Sequence, residues 1–200
     1  DNFASIISAV REGRIIYDII KKFVIYLLSA NLVEVFVIFL SLLFIRAEGD
    51  LHILPLLPLH LLWVNLVTDG APALALGIDS PEGDVMKRKP RDKNETILKG
   101  SVSFMILTAI LGTSIILGLF YFFLHTGEQH AQTISLTALI IFELFLAFSA
   151  RSKFSAFRLR TNPYLWLAVF TSIGLHLLIM YTPLRIAFKI VPLSFVEWLW

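Results

Sequence analysis

Five stretches of the 200-residue chain are each apolar enough and long enough to cross a lipid bilayer, and this limits the fold more than any other feature. A hydrocarbon core about 30 Å thick needs roughly 20 apolar residues in a helix that rises about 1.5 Å per residue. The stretches run over 23–45, 57–77, 102–124, 134–150 and 164–181, and a sixth opens at about 194 and reaches 200. None alternates with the period of two that a membrane barrel needs, and lipid cannot satisfy exposed backbone groups. The expected fold is therefore all-α, a polytopic transmembrane helix bundle. Composition agrees: with 57% hydrophobic and 16% charged residues, a water-soluble globule of this chain would aggregate. The chain opens on Asp1 rather than Met and its sixth span is short, so both ends are expected to be cuts within a longer protein.

The basic residues give the bundle a direction. Arg11, Arg14, Lys21 and Lys22 precede the first span. Lys87, Arg88, Lys89, Arg91, Lys93 and Lys99 lie between the second and third, and Arg151, Lys153, Arg158 and Arg160 between the fourth and fifth. The alternate connections hold only Arg46, Arg185 and Lys189. Lysine and arginine mark the cytoplasmic side, so the amino terminus and the loops 78–101 and 151–163 are expected there, with 46–56 and 125–133 outside. The basic cluster at 87–99 is tethered between two spans, which argues against a nucleic-acid patch; lipid is the expected surrounding.

Ahead of the first span, Ile6, Ala9, Ile16, Ile19 and Ile20 interleave with Arg11, Glu12, Arg14, Asp18, Lys21 and Lys22, and no proline interrupts the run into the membrane. The pattern predicts one helix: residues 1–22 as a cytoplasmic stalk, continuous with the transmembrane domain over 23–200. An ordinary juxtamembrane helix has the same pattern.

The second span is unlike the others, because Asn65, Thr68, Asp69, Gly70 and Pro72 crowd its middle. Proline lacks an amide hydrogen and disturbs the turn before it, and glycine is a poor helix former, so the helix is expected to loosen and expose carbonyl oxygens at membrane depth. Such backbone is tolerated only where it lines a protein cavity or ion path. Ionisable residues inside a membrane also demand a partner, and Glu34, Asp69 and Glu143 all fall within spans. Asn31 and Glu34 are three apart, Asn65 and Asp69 four apart, so each pair shares a helix face. With Thr68 the candidate ligands, Asn31, Glu34, Asn65, Thr68, Asp69 and Glu143, are all oxygen donors, the set that hard cations such as calcium take in sixes to eights. Interhelical hydrogen bonding is the competing reading of the same residues.

Elsewhere the sequence offers little chemistry. His60 is expected at the membrane interface and His176 hydrogen-bonded within the bundle; neither has a second histidine or a cysteine at ligand spacing. Trp63, Tyr121, Tyr164 and Trp166 read as packing or interfacial anchors. There is no cysteine, and no phosphate-binding glycine loop, nucleophile triad or zinc signature, so no catalytic residue is expected in this chain.

The opening D-N-F-A-S-I-I-S-A-V-R-E-G-R-I-I-Y-D-I-I-K-K-F, the S-A-N-L-V-E at 29–34 and the L-W-V-N-L-V-T-D-G at 62–70 resemble the carboxy-terminal transmembrane region of P-type calcium pumps of the sarco/endoplasmic-reticulum kind. The loop carrying Pro81, Asp84, Met86, Arg88, Pro90 and Arg91 is similar to that family's cytoplasmic loop, with Lys89 in place of a proline. The resemblance implies spans five to ten of a ten-helix domain. It implies one calcium site from Asn31, Glu34, Thr68, Asp69 and Glu143, and a second from Asn65 and Asp69 completed by a fourth helix absent here. It also implies an ATPase parent whose phosphorylation, nucleotide and actuator domains bind ATP and magnesium, so that this piece alone is inactive. Release on the far side would let protons replace calcium on Glu34 and Glu143. Leu146 stands where the family often has an asparagine, which weakens the part expected of Glu143. From the residues alone, a P-type pump for sodium, protons or manganese remains an alternative, as does a channel or secondary transporter with buried carboxylates. The particular membrane, cell or internal, is not readable.

Overall fold

The computed structural model describes residues 3–45, 53–79, 84–89, 96–151 and 162–199. Helices make up its regular structure, with no strand among the described residues. The first, α1 (Phe3–Phe44), is a single unbroken rod of 42 residues, about 63 Å long at about 1.5 Å per residue. It exceeds a bilayer's thickness twofold. The second span is divided into α2 (Pro58–Trp63), a π-helical turn (Val64–Thr68) and α3 (Gly70–Gly77). Pro58 begins α2 at a position where its missing N–H has no intrahelical partner to lose. Then come α4 (Val102–Phe123), α5 (Glu128–Arg151), α6 (Pro163–Tyr181), the short α7 (Arg185–Phe188) and a closing 3₁₀ turn (Glu197–Leu199).

Five helical stretches are long and apolar enough to cross a membrane. The chain is a multi-pass membrane protein. Helix α5 starts at Glu128, before the expected residue 134: Glu128 and Gln129 are exposed, and from Ala131 the helix is buried, where Gln132 Nε2 donates to the Leu54 carbonyl at 2.9 Å. Toward the carboxy terminus, residues 195–199 form a turn and the 3₁₀ segment.

Helix α5 is the most buried span and packs against α4, α1 and α3. One apolar cluster joins Val33 and Val37 of α1, Ile116 and Phe120 of α4, and Leu139 and Ile140 of α5. A second joins Tyr26 and Ala30 to Leu76, Leu146, Ala147 and Leu165. Large side chains such as Phe39, Leu66, Leu74, Ile110, Phe145 and Phe170 point outward, as they do where the solvent is lipid. Gly112 of α4 makes the tight packing possible. A β-carbon there would fall 2.8 Å from the Phe142 ring and 2.9 Å from Val33 Cγ1, and those residues immediately precede Glu143 and Glu34 in the chain.

Polar contacts outside the interior of the bundle sort to its two ends. At one, Arg14 Nη1 donates to the carbonyls of Val85 (2.8 Å) and Arg88 (2.9 Å), Arg88 pairs with Asp18 at 2.6 Å, and Lys21 reaches the Lys99 carbonyl at 3.0 Å. At the other, Thr133 Oγ1 accepts from the Val191 amide at 3.0 Å and His130 meets Glu197 at 2.7 Å. The start of α1 and the loop after the second span thus share an end, as alternating spans require. Arg46, Pro81, Pro90, Arg91, Lys93, Lys153, Arg158 and Arg160 lie outside the described residues.

Candidate cation-binding site

The site is built around the π-helical turn. Pro72 has no N–H to offer the Thr68 carbonyl and its ring crowds that oxygen, so the turn before it cannot close as an α-helix. The chain widens instead: the Asp69 amide donates to the Val64 carbonyl, five residues back, at 2.9 Å. Regular bonding resumes with Ala73 N–H to the Asp69 carbonyl at 3.0 Å. The widening occupies 64–68, ahead of Gly70 and Pro72, which already belong to α3. Single π turns of this sort re-aim side chains at functional positions, and Asp69 stands at its end.

Asp69 and Glu143 are both fully buried. The Tyr26 hydroxyl of α1 donates to Asp69 Oδ1 at 2.7 Å. Asp69 Oδ2 and both Glu143 carboxyl oxygens receive no hydrogen bond. The two carboxyls lie close enough to interact electrostatically. Glu34, 6% exposed, accepts from Asn65 Nδ2 on both oxygens at 2.8 Å. Asn65 also donates to the Leu61 carbonyl at 3.0 Å. Thr68 is buried and its hydroxyl donates to the Val64 carbonyl at 2.9 Å, which leaves the oxygen's lone pairs to accept or ligate. Asn31 is half-buried, its amide nitrogen tied to the Leu27 carbonyl of its own helix at 2.8 Å.

Of the six predicted residues, Glu34 is thus hydrogen-bonded to the exposed Asn65, Asp69 interacts with Glu143 and follows Thr68 in the chain, and the contact of Asn31 is with its own helix. Among the described residues no three Asp, Glu or His side chains close into a metal-ligating cluster of their own. None of the three carboxylates has an ion-pair partner among those residues. Three buried carboxyls in mutual electrostatic range need a proton or a cation between them, because burial without a counter-charge is costly.

Tyr26 is the site residue that sequence reasoning missed. Its signal was present: Tyr26, Ala30 and Glu34 are spaced four apart and so lie along one face of α1. Leu146, where a polar neighbour of Glu143 was expected, instead packs in the apolar cluster that holds the Tyr26 ring. His60 has two protein partners. At the start of the second span it is buried in protein, where Nε2–H donates to the Phe188 carbonyl at 2.7 Å while Nδ1 accepts from the Leu57 amide at 3.2 Å. His176 is bonded inside the bundle, its Nε2 3.0 Å from Thr137 Oγ1. Trp63 packs edge-on against Phe188 and Trp166 stacks on Phe170, both packing roles.

Buried oxygen donors around a broken helix are a cation-transport feature, and comparison with known proteins agrees. Residues 53–200 match the family profile described as "Cation transporting ATPase, C-terminus". The chain belongs to this family. Relatives include the calcium-transporting ATPase of Bacillus subtilis, 40% identical over the whole chain and 22% of that protein's length. The endoplasmic reticulum calcium ATPase srcA of Aspergillus fumigatus is 35% identical over 99% of the chain and 24% of its own length. Calcium-transporting ATPase 3, endoplasmic reticulum-type, of Arabidopsis thaliana is 32% identical over 99% and 23%. The chain thus spans less than a quarter of the length of these relatives.

Proposed function

We propose that this chain supplies the cation-binding helices of an ATP-driven calcium pump. The observation that carries the reading is that Asp69, Glu143 and Glu34 are all buried within spans, in mutual electrostatic range and without a cationic partner, with Asp69 at the end of a widened helical turn. Oxygen donors of this hardness suit calcium, and each relative named above is called a calcium-transporting or calcium ATPase. Asp69 and Glu143 form the centre, Glu34 and Asn65 the neighbouring ligands, and Thr68 and Asn31 complete the shell with their side-chain oxygens. Tyr26 aims the Asp69 carboxylate.

The parent protein works by alternating access. Its phosphorylation, nucleotide and actuator domains would hold ATP and magnesium and pull on the stalk, residues 1–22, whose described part, 3–22, is α1 running on into the transmembrane domain at 23–200. The amino terminus is cytoplasmic, in keeping with the basic residues gathered near that end. In the full-length protein, Asp69→Asn should abolish calcium-dependent phosphorylation by ATP; near-normal calcium affinity in that variant would sink the reading. Orientation has its own test, made clean by the absence of native cysteine. Lys89→Cys should react with an impermeant thiol reagent only when the cytoplasmic face is exposed, and labelling from outside would reverse the topology.

A further inference from the structure

Asp79, just beyond the end of α3, is as buried as the site carboxylates but differently served. Its Oδ1 accepts from Arg151 Nε at 3.1 Å and from Asn162 Nδ2 at 3.1 Å. Its Oδ2 accepts from Lys22 Nζ at 3.2 Å and from the same Arg151 nitrogen at 3.2 Å. The side chain is 2% exposed. Asn162 also donates to the Ala75 carbonyl at 2.9 Å, and its own Oδ1 caps α6 by accepting from the Leu165 amide at 3.1 Å. One carboxylate therefore joins α1, the end of α3, the end of α5 and the start of α6.

Three of those helices each carry one site carboxylate. Lys22 lies on α1 with Glu34, Asp79 follows α3 from Asp69, and Arg151 ends α5, which holds Glu143. The separations along the chain are about 18, 15 and 12 Å at roughly 1.5 Å per residue, too far for Asp79 to touch an ion bound among them. A helix transmits axial displacement along its length, so a tie at one end fixes where its far side chain stands. Taking a carboxylate and two cations out of water is costly, and hydrophobic replacement of such groups is often no less stable. Stability alone therefore does not account for this cluster.

We propose that Asp79 is a positioning residue, an axial tie that sets the mutual register of the helices bearing Glu34, Asp69 and Glu143 and thereby the affinity of the cation site. Lys22 gives the tie a lever, because it lies at the junction of the stalk and the membrane part of α1. Movement of the stalk then reaches all three carboxylates through one point rather than through α1 alone.

The inference rests on the calcium-site reading above, and the experiment separates the two. Equilibrium binding of radioactive calcium to the purified full-length protein is measured for Asp79→Asn, Lys22→Met and Asp69→Asn. A register tie predicts that Asp79→Asn weakens calcium affinity about tenfold and Lys22→Met several-fold, with the number of ions bound at saturation unchanged. A merely structural role predicts the reverse split: fewer competent molecules, hence lower capacity, at unchanged affinity. Should Asp79→Asn fail to fold, Lys22→Met decides the matter on its own, since it removes one strand of the tie at a partly exposed position. Unchanged affinity in the variants that fold overturns the tie even if Asp69→Asn abolishes binding. Normal binding by Asp69→Asn overturns the site reading instead.

Discussion

Asp69 and Asp79 are ten positions apart at the two ends of α3, both buried, yet their carboxylates are treated in opposite ways. Asp79 has donors on both oxygens from three side chains, two of them cationic. Asp69 has a single tyrosine hydroxyl, and Glu143 beside it has no donor at all. A fully served carboxylate is fixed in place, and nothing is left for an exchangeable ligand to do. An underserved one keeps lone pairs aimed inward that a cation can fill and then leave. The same chemical group thus makes a static joint at one end of the helix and a binding element at the other, with the protein's own donors deciding which.

Asn65→Ala would sharpen this contrast most among the neutral neighbours. It strips Glu34 of the donor that reaches both its oxygens, and hydrogen bonds to charged groups contribute about 1.5–3 kcal/mol. Calcium affinity of the full-length protein should fall at least about tenfold. An unchanged titration would mean that Asn65 only fastens two helices. Tyr26→Phe is expected to be gentler. It deletes the one side-chain hydrogen bond that the Asp69 carboxylate accepts and keeps the ring in its apolar cluster, so the same titration should shift by roughly three- to tenfold with no loss of folded protein. A shift as large as that of Asn65→Ala would place the tyrosine among the ligands rather than behind one.

The sequence carried the helices well and the polar contacts partly. Spans are legible because a bilayer imposes a length and forbids unsatisfied backbone, so apolar runs and their edges suffice. The edge at Glu128–Thr133 escaped that logic: polar residues can continue a helix when protein, here the Leu54 carbonyl, meets them. The loosening before Pro72 was foreseeable from proline geometry, whereas its form as a π turn over 64–68 depends on how neighbouring helices accept the wider turn. Asn31, Glu34, Asn65, Thr68, Asp69 and Glu143 stand out because they are polar where lipid wants carbon. Tyr26 did not, since an aromatic ring on α1 reads as packing until the position of its hydroxyl is known. Asp79 and Arg151 hid for the opposite reason: at the ends of spans charged residues are ordinary, and only the fold reveals that they meet away from water. His60 illustrates the same limit, for its burial depends on a carbonyl 128 residues distant.

The account centres on Glu143, whose buried oxygens have no donor and adjoin Asp69. Leu146 argued for a minor part for this residue; its surroundings argue for a central one. Equilibrium calcium binding to the full-length Glu143→Gln variant tests this most directly. The account predicts that calcium affinity falls at least about tenfold, with at least as large a loss as in Glu34→Gln. Unchanged affinity would contradict it and make the carboxyl an interhelical contact.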